Sequence, residues 1–344
     1  MAAQTVAPPR PAADRSVPAA FLAIVVLGGA NGVAVHFSDV ELAPLWGAAI
    51  RFMIAAAVLF GIVGVRRIAL PEGAALTGSV LYGLLAFAGA FGFIYWGLVK
   101  VPPGLAQIIL ALVPLLTFLF AVVQGLERFR WQSLGGALLA IGGIGVVFGS
   151  HISAAVPLAY LAAIVVAAAS MAESNVVAKR FPKCHPVANN AVAMGAGGAV
   201  LLVASILADE PHAIPVQAST LAAIGYVSLV GSVGVFSLFL YVLARWSASS
   251  SSYVMLLMPL VAVIVASALT GETITTAYFA GGGLVLLGVY IGAFAPPLRT
   301  LASALAGLPN RPGRPGGGAI AATAPSLAEL QSPEPPSVVT PGCA

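Results

Sequence analysis

Two charged residues stand where charge is costly. Glu173 lies in the apolar stretch VVAAASMAESNVVAKR, six residues before Lys179. On a helix this spacing puts it roughly 9 Å inside the helix end. Ser170, Glu173 and Ser174 share one helical face at i, i+3 and i+4. A carboxylate at that depth is suited to carrying a coupling proton or to pairing with a substrate amine. The competing reading is a carboxylate that snorkels to Lys179 or Arg180. Arg51 follows Pro44 by seven residues and so sits roughly 10 Å into its apolar run. A guanidinium there costs about 2.5–3.5 kcal/mol on insertion scales. It can hold a substrate carboxylate through two parallel hydrogen bonds, or it can tie helix ends together or snorkel outward. Arg51 and Glu173 differ by roughly 10 Å in depth within a ~30 Å core. They are therefore not a simple pair, although they can flank a zwitterion from opposite sides.

Other polar residues fall on faces that could line a path. Gln107, Leu110, Ala111, Pro114 and Phe118 share a face at i, i+3, i+4, i+7 and i+11. Ser252, Met255, Leu256, Pro259 and Val263 form a matching face later in the chain. A proline leaves a backbone carbonyl without its helical partner, which is tolerated where protein or a water-filled cavity satisfies it. Each face is either cavity lining with a bending point or a structural kink. Asn31 sits in GGANGVAV, where flanking glycines allow close helix approach, and it either contacts substrate or bonds a neighbouring helix. Ser228, Ser232 and Phe236 share another face, and Tyr82, Phe87, Phe91, Tyr95 and Trp96 make one segment aromatic. An aromatic wall suits apolar or cationic ligands, while Tyr95 and Trp96 also fit an interfacial belt.

These residues must be positioned by membrane helices. The chain of 344 residues is 60% hydrophobic and only 8% charged, too few charges to cover a water-facing surface. Ten apolar runs occur, at about 18–35, 44–65, 74–97, 104–124, 131–149, 156–178, 187–207, 219–243, 251–269 and 274–295. Most approach the ~20 residues that span a bilayer core. Pro44, Pro71 and Pro186 are expected in first helical turns, as are Glu72 and Glu272, while Glu127 and Glu272 are read as structural residues at helix starts. With the N-terminus in the cytoplasm, thirteen Lys and Arg residues fall inside and only Lys100 outside, with Arg51 in a helix. This is the positive-inside pattern, with both termini cytoplasmic.

The expected organisation is a cytoplasmic segment 1–17, a first half 18–150, a second half 151–295 and a disordered Pro/Gly/Ala-rich tail 296–344. Pro114, Glu127, Gly136 and Gly143 recur 145 residues later as Pro259, Glu272, Gly281 and Gly288. Five helices per half is an odd number, so the second half enters the membrane inverted. Inverted repeats are a common architecture of secondary transporters, whose alternating access exchanges the conformations of the two halves.

The doubled stretch reads YWGLVKVPPGLAQIILALVPLLTFLFAVVQGLERFRWQSLGGALLAIGGIG and YVLARWSASSSSYVMLLMPLVAVIVASALTGETITTAYFAGGGLVLLGVYIG. The repeated Y-x-x-L, L-x-P-L, junction glutamate and spaced glycines resemble the drug/metabolite transporter superfamily, in its EamA-type ten-helix branch. The resemblance covers about residues 19–295. It implies an all-α inner-membrane protein that exports amino acids, related metabolites or amphipathic drugs by alternating access, with protons as the expected coupling ion. The family's first helix often carries Trp-Gly where this chain has Gly29-Ala30-Asn31-Gly32, and Leu126-Glu127 replaces the commoner Gly-Glu.

Two rivals stay open: an uptake or exchange carrier for sugar-phosphate or nucleotide-sugar solutes, and a membrane enzyme acting on lipid. The first needs a cationic cavity, for which one membrane arginine is thin support. The second needs a polar catalytic cluster, which the sequence does not display. No P-loop is present, so ATP is not a direct energy source. Two isolated cysteines and four scattered histidines argue against a disulfide frame and a metal site. The expected partners are a small-molecule substrate and the bilayer, with no nucleic acid and no cofactor. A homodimer is among the assemblies the sequence permits.

Overall fold

A computed structural model describes residues 16–38, 40–101, 103–148, 156–270 and 276–294, all within one unit, Met1–Pro297. The expected tail, Glu272 and most of the N-terminal segment lie outside the described residues. Among the described residues there is no strand. They form α1 (Ser16–Ser38), α2 (Pro44–Arg66), α3 (Gly73–Leu98), α4 (Pro103–Leu110 and Val113–Val123) and α5 (Trp131–Phe148). The second half gives α6 (Leu158–Arg180), α7 (Pro186–Leu207), α8 (Ala218–Arg245), α9 (Ala248–Ser252 and Val254–Thr270) and α10 (Thr276–Val289 continuing as Tyr290–Phe294). Eight of these segments are long and apolar enough to cross a membrane, and α1 and α5 supply shorter apolar stretches.

Local chemistry explains most boundaries. Pro44 and Pro186 begin α2 and α7 as expected, because a first-turn residue needs no N–H partner. Pro71 and Glu72 do not behave as expected. Helix α3 starts at Gly73, Glu72 precedes it in extended conformation, and the Glu72 side chain caps nothing. Pro114 breaks α4: Leu112 N–H turns back to Ile109 in a tightened bond before the helix resumes at Val113. Pro259 instead lies inside an unbroken stretch of α9, whose joint falls earlier, at Tyr253. The two prolines match in sequence but not in mechanical effect.

The equivalent helices run in opposite directions. The end of α4 meets the start of α9, where Glu127 accepts from Ser249 N–H at 3.0 Å and from its hydroxyl. The start of α2 meets the end of α7, where Glu210 accepts from Leu45 and Trp46 N–H at 3.1 and 2.8 Å. Helices α5 and α10 cross through their repeated glycines. A Cβ on Gly136 would stand 2.6 Å from the Gly288 carbonyl oxygen, and one on Gly143 2.6 Å from that of Gly281.

The loop charges cap helices of the opposite half. Glu41, after α1, accepts from Val216 and Gln217 N–H at the start of α8. Glu210, before α8, caps the start of α2, so the two connectors exchange carboxylates. Glu127, expected as a structural residue at a helix start, caps the start of α9. At that same end Lys179 donates to the Leu243 and Trp246 carbonyls and Lys183 to Ala244. Carboxylates at helix starts and ammonium groups at helix ends both complement the helix dipole.

Candidate functional site

Helices α3 and α8 each contain a π-helical segment, Leu84–Phe91 and Leu229–Gly234. Their first residues, 84 and 229, are 145 apart, the repeat interval. Such segments are rare and concentrate at functional sites. Close approach at glycine seats the first one: a Cβ on Gly197 of α7 would stand 2.5 Å from Phe87 Cβ and 2.8 Å from the Gly83 carbonyl oxygen.

Arg51 lies where both π segments meet α2. It is 2% exposed and does not snorkel. Its Nε donates to Ser232 Oγ at 2.8 Å, and its guanidinium carbon lies 5.0 Å from the Phe52 ring centroid and 5.1 Å from that of Phe91. Ser232 in turn donates to the Val227 carbonyl at 2.8 Å. Its proton is thus committed to its own helix, and a lone pair is left for the arginine. A charge-assisted hydrogen bond and two ring faces offset much of the burial cost. Phe236 closes the aromatic wall, at 4.9 Å from Phe87 and 6.1 Å from Phe91. Phe91 and Phe236 are also 145 residues apart, so equivalent rings of the two halves meet at this point.

Several expected residues join this centre. Asn31 packs its side chain onto Gly231, where any Cβ would collide with it. Asn31 Oδ1 and Ser228 Oγ are buried with no hydrogen-bond partner among the described residues. The glycines before Asn31 fit α1 against α9: a Cβ on Gly29 would stand 2.5 Å from Val261 Cβ, and one on Gly28 would meet Met258. Ser170 borders the first π segment, 3.3 Å from where a Gly89 Cβ would stand.

Glu173 belongs to a different group. Both carboxylate oxygens accept from Gln124 Nε2, at 2.8 and 2.9 Å, and Arg180 reaches the Gln124 oxygen at 3.3 Å. Lys179, one of its two expected partners, is engaged at the end of α8. Ser174 and Ser252 bond back to carbonyls of their own helices, Met171 and Ser249, at 2.7 Å each. Gln107 is half-buried, and its carbonyl takes the Ala111 N–H just before the α4 break. Ala111, Pro114 and Pro259 are buried. Met255 packs on Val113, Ala168 and Ala172, joining α9 to α4 and α6. The sequence reading did not single out Phe52 or Gln124. Phe52 adjoins Arg51 in the chain, and Gln124 is the polar residue that ends the α4 run.

The comparisons with known proteins agree with this architecture. The EamA-like transporter family matches twice, at residues 15–149 and 158–293. The chain belongs to the EamA-like transporter family and is a multi-pass inner membrane protein. It is 27% identical over 276 residues to the uncharacterized inner membrane transporter YedA of Escherichia coli strain K12, covering 79% of this chain and 89% of that one. It is 28% identical over 298 residues to a probable amino-acid metabolite efflux pump of Salmonella typhimurium, covering 82% and 96%. A probable terminal-alkyne amino-acid exporter of Streptantibioticus cattleyicolor is 32% identical over 250 residues, covering 69% and 79%. One crystal structure aligns with a TM-score of 0.70 at 20% identity, over 84% of this chain and 98% of that one, which speaks to the fold alone.

Proposed function

We propose that the protein exports small amino-acid-like metabolites across the inner membrane by alternating access of two inverted five-helix halves. The full topology in this reading is ten spans with both termini in the cytoplasm. The observation that carries it is Arg51, a buried cation held at the meeting of two symmetry-related π segments. Its planar guanidinium, a fork that matches a carboxylate, is positioned at this point by contacts that include the Ser232 hydroxyl and the Phe52 and Phe91 rings. The unmatched oxygens of Asn31 and Ser228 offer an acceptor and a hydroxyl beside it for an amine or a polar side group. The names of two relatives, an amino-acid metabolite efflux pump and a terminal-alkyne amino-acid exporter, support the same chemistry.

In this reading Glu173 carries the coupling proton. It is reached through α6 from the basic end, and Gln124 holds both its oxygens. The reciprocal carboxylate caps close one end of the bundle, and Glu127 with Lys179 closes the other. Alternating access then requires one set to release while the other holds. Everted vesicles with an acidified lumen, incubated in a mixture of amino acids, test the reading. The wild type should accumulate one or more carboxylate-bearing solutes in exchange for protons leaving the lumen, and Arg51→Gln should accumulate none. Full transport by Arg51→Gln would refute the assignment.

A further inference from the structure

A groove of about 750 Å³ opens where the basic end of α2 diverges from the start of α7. Val58, Gly61, Ile62 and Val65 form its wall, and Arg66 and His185 stand at its rim. The wall is open because of glycine: a Cβ on Gly61 or Gly64 would meet nothing within 4 Å. From Val58 to Arg66 the apolar wall climbs roughly 12 Å along α2. One end is therefore cationic and the rest has the length and chemistry of hydrocarbon.

The cations at this end divide into two sets. Lys179 and Lys183 donate to the last carbonyls of α8, and Arg180 donates to Gln124. Arg66 and Arg67 are exposed, and Arg67 closes α2 in the left-handed region at φ 50°. His185 accepts the Val187 N–H on Nδ1 at 3.3 Å, which leaves Nε2–H as a donor. Arg66 and an imidazole N–H at the mouth of an apolar groove, with Arg67 next in the chain, match a phosphodiester attached to an acyl chain. Basic pockets between membrane helices take anionic headgroups in this way.

We infer that this groove binds an anionic glycerophospholipid, with its phosphate at Arg66 and His185 and one acyl chain along Val58, Gly61 and Val65. The inference depends on the membrane location and not on the transported substrate. A bound lipid would bridge α2 and α7, equivalent helices of the two halves.

The test uses the full-length protein in detergent micelles, titrated with phosphatidylglycerol or phosphatidylcholine and read by native mass spectrometry. Phosphatidylglycerol should bind more tightly, by about fivefold for each contributing arginine. Arg66→Gln with Arg67→Gln should remove that preference; both positions are exposed, so folding should survive. Gly61→Leu should weaken phosphatidylglycerol binding while keeping the arginines, and glycerol phosphate at equal concentration should not compete. Equal binding of the two lipids, an unchanged preference in the double variant, or displacement by glycerol phosphate would overturn the inference.

Discussion

Gly143 and Gly281 lie backbone to backbone where α5 crosses α10, and a Cβ on either would stand 2.5–2.6 Å from the other's carbonyl oxygen. The same relation holds between Gly136 and Gly288. Helix α10 therefore repeats α5's glycines because each helix needs the other's bare surface. Gly143→Ala or Gly281→Ala should lower stability by about 1–3 kcal/mol, the usual cost of overpacking. Gly142→Ala is the control, since nothing lies within 4 Å of its Cβ position, and it should be neutral or slightly stabilising. Thermal unfolding in detergent distinguishes these outcomes. Equal midpoints for Gly143→Ala and Gly142→Ala would show that the crossing is slack.

The Arg51–Ser232 bond predicts a second set of effects. Arg51→Lys keeps the charge but loses the planar fork and its fit between Phe52 and Phe91. It should not restore transport. Ser232→Ala removes the acceptor of Nε and should weaken substrate binding by roughly tenfold, in line with about 1.5–3 kcal/mol for a charged hydrogen bond. Substrate-protection measurements on purified protein check this. Wild-type affinity in Ser232→Ala would mean that the Ser232 hydroxyl does not position the guanidinium.

The sequence made some of this legible for physical reasons. Proline, glycine and glutamate punctuate helices, so the 145-residue repeat stood out and the inverted pairing of α4 with α9 followed. Arg51 and Glu173 stood out because charge in an apolar run is costly. Their partners did not. Ser232 is 181 residues from Arg51, and only the tertiary fold brings them together. The π segments leave no residue signature, since Leu84–Phe91 reads as any apolar helix. Glu72 stands one residue before the helix it was expected to enter, and which helix Glu127 caps was not legible because that helix lies in the other half.

Glu173 and Gln124 should be separable by their dependence on the proton gradient. Glu173→Gln removes the proposed proton carrier but keeps a hydrogen-bonding amide. It is expected to retain substrate exchange and lose accumulation driven by the pH gradient. Gln124→Leu strips that carboxylate of both its bonds while leaving the carboxylate itself in place, so it should slow transport without abolishing its dependence on the gradient. Gradient-driven accumulation by Glu173→Gln equal to wild type would move the coupling group elsewhere.

The exchange of caps between Glu41 and Glu210 sets a pH dependence for the fold. Desolvation pushes the Glu41 carboxyl up, but the Gln217 N–H, the Thr220 hydroxyl and the Val216 N–H together outweigh it and hold the carboxyl below the usual 4.5. A depressed native value means that the folded state binds the proton less readily than the unfolded chain. The clasp on α8 is therefore fully present above the unfolded value. It is lost as pH falls from there through the lower folded value. Thermal midpoints measured between pH 6 and pH 3 should decline for the wild type below about pH 4.5. Glu41→Gln should start lower at pH 6 and decline less over the same interval, because its amide can keep only part of the cap and does not titrate. Glu210 remains in both proteins, clasped by Leu45, Trp46 and Ser205, so the difference between the two curves isolates Glu41. Parallel curves would show that the cap on α8 adds nothing that depends on its charge.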